Sequence, residues 1–141
     1  MDNLSFEVKI PIYNITVIFY IGDNLFEMSK IIKKKHQKQK NVLTQKESKE
    51  IDGVNLLQFL SENLLYILIH RENGLIKVSS ITHEIFHATA IIAEENNFRF
   101  CKDEEAFAII NGFLNSMVLK KVIECGEKLF YDENKYFKMM K

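Results

Sequence analysis

Residues 5–12, SFEVKIPI, alternate in polarity, with Phe6, Val8, Ile10 and Ile12 on one side and Glu7 and Lys9 on the other. A period of two predicts a half-buried strand, and Pro11, which lacks an N–H, places it at an edge or an end. Residues 15–21, ITVIFYI, are β-branched and aromatic on both faces and predict a more buried strand. The short Tyr13-Asn14 link suggests a hairpin even without a turn glycine. After Gly22-Asp23-Asn24 the period becomes helical, and Leu25, Met28, Ile31 and Ile32 predict a helix to about residue 37.

Residues 38–50 read as a polar connection, and VNLLQFL (54–60) is ambiguous between a short helix and a strand. LLYILIH (64–70) predicts a strand and RENG (71–74) a turn. Ser79 and Ser80 are candidate caps for a helix from about residue 80 to Glu95, which Asn96-Asn97 ends. Asp103 is placed to cap a second long helix, Glu104 to about Glu124, and Gly126 to stop it. Within that helix Phe107, Phe113 and Met117 read as core. The tail YDENKYFKMMK suggests a short final helix. This order predicts an α+β fold, and the length of 141 residues predicts a single domain over residues 1–141.

Charge changes the picture little. Lys+Arg and Asp+Glu balance at 19 each, so no global field favours nucleic acid or an anionic membrane. The run KKKHQKQK (33–40) reads as a solvated helix end whose cations suit the negative pole of the dipole, with His36 solvated among them. It carries no interleaved aromatics for base stacking. MDNLSFEVKI lacks a signal-peptide pattern, and no uninterrupted apolar run approaches the length of a membrane span. The expectation is a cytoplasmic protein with no nucleic-acid or membrane partner. Cys101 and Cys125 are expected to be unbridged thiols of a reducing compartment.

The candidate chemistry lies in SSITHEIFHATAIIAEE (79–95), where His83, Glu84 and His87 form H-E-x-x-H. Positions i and i+4 share a helix face, so both imidazoles aim one way, and Glu84 lies beside them. Two neutral nitrogens can hold zinc, and a neighbouring carboxylate can deprotonate a water that the metal has acidified. Such a pattern arises by chance roughly a few times in a thousand chains of this size. The apolar surroundings Ile81, Ile85, Phe86, Ala88 and Ala90 suggest a buried face, where two histidines and a glutamate would be costly without a partner. A third ligand is sought in the next helix, whose KDEEAFAIINGFL (102–114) offers Glu104 and Glu105.

HEIFHAT followed by EEAFAIINGFL resembles the gluzincin metallopeptidases, and residues 78–114 look like a group of small phage-encoded metallopeptidases. IPIYNITVIFYIGDN is similar to the opening strands of that group. The resemblance covers most of the chain, and its specific part is the two helical motifs. It implies a minimal zincin-like fold, with a small N-terminal β-sheet, an active-site helix and a second long helix. It implies Zn2+ held by His83, His87 and Glu105, the glutamate followed by Ala106 and, three residues on, Ala108. Glu84 is then the general base for peptide-bond hydrolysis by zinc-activated water. The small residues Ala108 and Gly112 would let the two helices approach closely.

The resemblance also implies a phage or prophage origin and a peptide or protein substrate, of the host or the phage. Repressor-cleaving peptidases of mobile elements carry similar motifs. It names no oxyanion-stabilising residue, for which His70, Tyr66, Tyr131 and Tyr136 are candidates by type alone. Strand 64–70 is a candidate edge for pairing with extended substrate, and Cys101 a candidate extra ligand that would silence the site. The alternative is a catalytically silent zinc-containing binding protein that engages a host protein. The oligomeric state is open.

Overall fold

The computed structural model describes residues 2–35, 45–50, 53–58, 63–97 and 102–131. Strands β1 (Leu4–Ile10) and β2 (Ile15–Gly22) form an antiparallel hairpin, as their alternation predicts. A 3-10 turn over Pro11–Tyr13 joins them, and Asn14, at φ 50°, takes the left-handed conformation that a glycine would otherwise fill. Phe6, Val8 and Ile10 are buried while Glu7 and Lys9 are exposed. Ile12 departs from that pattern: the strand has already ended, and its side chain is 85% exposed on the turn.

Helix α1 (Leu25–Lys35) starts where the Asn24 side chain accepts the Glu27 N–H at 3.1 Å. It buries Leu25, Met28 and Ile32 and leaves Ile31 exposed. Lys33, Lys34 and Lys35 form its exposed last turn, and His36 with the rest of the basic run lies outside the described residues. A short helix α2 (Gln45–Glu50) stands where only a polar connection was expected. The ambiguous segment becomes strand β3 (Gly53–Gln58).

Strand β4 (Leu64–Glu72) is the axis of the sheet. It runs parallel to β2 on one edge and antiparallel to β3 along residues 64–69 on the other. Asn73 and Gly74, both at positive φ, turn it into the short strand β5 (Leu75–Lys77), the Asn-Gly pairing that tight hairpins favour. Helix α3 (Val78–Glu95) follows directly, then α4 (Glu104–Glu124) and strand β6 (Lys128–Phe130), which lies parallel to β5. The six-stranded sheet is ordered β1-β2-β4-β5-β6, with β3 beside β4. The fold is thus α+β.

Each sheet face has its own core. Val17, Phe19, Ile21, Leu65, Ile67 and Ile69 pack against Ile81, Ile85, Ala88 and Ile92 of α3 and the Ile110–Val122 stripe of α4. On the opposite face Ile18, Tyr66 and Leu68 meet Leu25, Met28 and Ile32 of α1. Odd and even positions of β4 therefore address different helices.

Helix ends follow the chain's turn chemistry. Asn97, at φ 59°, closes α3. Gly126, at φ 76°, closes α4 with paired bonds from Gly126 N–H to the Ile123 carbonyl and from Glu127 N–H to the Val122 carbonyl. Just beyond, the Arg71 guanidinium, 1% exposed, makes a bidentate pair with Glu127 and donates to the Asp2 carbonyl at 3.1 Å. It ties β4, the end of α4 and the N-terminal segment together.

Candidate metal centre

Helix α3 is held by its apolar stripe, so the direction of its other face is set by the core. Lys77 precedes its first turn in extended conformation without a side-chain cap. Ser79 and Ser80 are not caps as expected, because the helix begins two residues earlier, straight out of β5. Thr89 strengthens the seat: its hydroxyl donates to the Ile85 carbonyl at 2.8 Å and lies 3.3 Å from Asn111 Oδ1 of α4.

On the outward face, His83 and His87 bring their Nε2 atoms within 3.0 Å, with ring centroids 4.6 Å apart. Zinc–nitrogen bonds of about 2.05 Å at a tetrahedral angle would separate two ligand atoms by about 3.3 Å. The pair is therefore close to a metal's bite, and its donor chemistry fits zinc. Both rings are exposed while Glu84 is 7% exposed. The histidines are thus not on the buried face that their apolar neighbours suggest, and only Glu84 is enclosed. Phe86 and Ala90 are exposed with the histidines.

The first turn of α4 is brought beside this face by an aromatic joint, Phe86 against Phe107 with centroids 5.4 Å apart. The third ligand is not brought in with it. Among the described residues no three His, Cys, Asp or Glu side chains converge as a metal group. Glu104 and Glu105 are both exposed. At about 100° per residue, Glu105 shares the side of α4 with Ala108 and Gly112, and Glu104 lies nearer the Phe107 stripe. Ala108 and Gly112 do not mediate close helix approach, since both are exposed and nothing lies within 4 Å of a Cβ built at Gly112. Phe107 is core as expected, but Phe113 and Met117 are 40% and 41% exposed.

The oxyanion candidates separate by sheet face. Tyr66 is buried in the core beneath α1, away from α3. His70 has the same parity along β4, and its Nε2 donates to the Asp23 carbonyl at 3.0 Å. Tyr131 is 68% exposed after β6, and Tyr136 and Cys101 lie outside the described residues. Strand β4 has no spare edge for substrate, being paired with β2 on one side and with β3 and β5 on the other. Among the described residues β1, β3 and β6 are edge strands, and β3, which the ambiguous VNLLQFL pattern hid, packs beside α3.

Helix α4 leaves the membrane expectation untested, since a core helix passes the same length-and-composition test. Although Asn111, Asn115 and Ser116 interrupt it, its 21 residues are long and apolar enough to cross a bilayer by length and composition. No protein-family model matches the chain, and neither a curated protein nor a solved structure matches it.

Proposed function

We propose that this chain is a zinc-dependent metallopeptidase of gluzincin type, hydrolysing peptide bonds in a host or phage protein in the host cytoplasm. The observation that carries the reading is the His83–His87 Nε2 pair, 3.0 Å apart on an exposed helix face, with the enclosed Glu84 following His83 in the chain. Zinc, when bound, would supply Lewis-acid chemistry to water and to the scissile carbonyl. His83 and His87 would hold it through their Nε2 atoms, and the core stripe of α3 fixes where they point. The third ligand would be a carboxylate from the first turn of α4: Glu105 by the resemblance, with Glu104 the rival by helical phase. Glu84 takes the proton of the attacking water and returns one to the leaving amine. The outer edge of β3 offers main-chain groups to an extended peptide.

The enclosed position of Glu84 and the unconverged third carboxylate favour one competing reading, a zinc-containing binding protein without catalysis. Glu84→Gln separates the two. On the peptidase reading this variant keeps its zinc and fold but loses cleavage of a proteome-derived peptide library, scored by mass spectrometry. Equal cleavage by the variant and the parent chain would remove Glu84 from the chemistry and end this reading.

A further inference from the structure

Helix α4 is apolar all round, with mean hydropathy 1.4 over its best window, yet only 28% of that window is buried. Its core side, Phe107, Ile110, Leu114, Val118 and Val122, already has its partners. On the outer side Ile109, Phe113 and Met117 stand 62%, 40% and 41% exposed at i, i+4, i+8 spacing, a continuous ridge along the helix. Beside it runs a row of small residues, Ala108, Gly112 and Ser116, all exposed. Glycine is a poor choice in a helix interior, and nothing within the chain lies near the Gly112 position. A ridge with an adjoining shallow groove is what one helix presents to another.

We propose that this face binds a second copy of the same chain, α4 against α4, antiparallel about a two-fold axis at Phe113. Charge selects that occupant and that orientation. Lys102 precedes the helix and Glu124 closes it, at equal distances in sequence from Phe113. Both side chains are exposed, and neither is in an ion pair within the chain among the described residues. With Phe113 on the axis, Ile109 faces Met117 of the other copy. Lys102 then faces Glu124 of the other copy, once on each side of the axis. A parallel pair would set like charges together, and the antiparallel one also opposes the helix dipoles favourably.

The test is sedimentation equilibrium on the whole chain across the micromolar range, with circular dichroism to confirm folding. A concentration-dependent dimer is expected, and Phe113→Glu, which sets two carboxylates together on the axis, weakens it by at least about tenfold. Lys102→Glu and Glu124→Lys each weaken it as well, and the double variant restores it, because each reversed charge again meets its opposite. That exchange decides the matter even where Phe113→Glu fails to fold. A chain that is monomeric at every concentration overturns the proposal, as does a double variant no tighter than the singles. A monomer that co-sediments with phosphatidylcholine vesicles overturns it in favour of a lipid contact.

Discussion

Removing Glu127 should be among the most damaging single changes outside the apolar core. Arg71 is 1% exposed and Glu127 8%, and their side chains meet through two parallel N–H to carboxylate bonds. Breaking a buried pair from one side typically costs about 3–5 kcal/mol, because the remaining charge stays enclosed without compensation. Arg71 retains the Asp2 carbonyl at 3.1 Å and the Asp23 carboxylate at 3.6 Å, the latter 53% exposed. Those contacts put Glu127→Ala at the lower end, about 3 kcal/mol. Set against a total stability of about 5–15 kcal/mol, that is a large share. At roughly 4 °C per kcal/mol for a domain of this size, the melting temperature should fall by about 12 °C. Replacing both partners, Arg71→Met with Glu127→Leu, removes the charges together and should cost far less than the single change. Urea and thermal unfolding followed by circular dichroism measure all three. A Glu127→Ala variant within about 1 kcal/mol of the parent, or a double variant worse than the single, would refute the reasoning.

Three further outcomes are expected. Zinc at about a hundred times its Kd should stabilise the chain by about 2.7 kcal/mol in thermal unfolding, and a His83→Ala, His87→Ala double variant should lose that shift. Zinc affinity by competition with a chromogenic chelator should fall in acid, since protons compete for the imidazole nitrogens; a pH-independent affinity would argue against histidine ligation. Glycine-to-alanine changes should act with opposite signs in dilute protein. Gly74→Ala, at φ 77°, destabilises by about 1 kcal/mol, whereas Gly112→Ala, in open helix, stabilises by a similar amount. Urea midpoints of the two variants check this, and shifts in the same direction would contradict it.

The β1–β2 hairpin, β4 and the spans of α3 and α4 were legible because periodicity and turn residues agreed there. Asn96-Asn97 and Gly126 end helices where the chain's composition says they should. The short strands β5 and β6 were not legible, since three residues carry no period and their pairing is decided by tertiary contact. The outer side of α4 misled for another reason: a helix apolar on every side gives no phase from which to choose Phe107 over Phe113. In α3 the phase was readable. Stepping about 200° from Ile81 to His83, and from Ile85 to His87, puts both histidines opposite the core stripe. Apolar neighbours in sequence concealed that. The i, i+4 pairing of the two imidazoles was legible from H-E-x-x-H, whereas the approach of Glu104 or Glu105 depends on the connection between two helices and on the ion itself.

The most direct test of the metal reading is the zinc content of the purified chain by elemental analysis, beside His83→Ala. About one zinc per chain is expected, lost in the variant while the fold persists. A chain that holds no zinc after exposure to it, or a His83→Ala variant that holds as much as the parent, would contradict it.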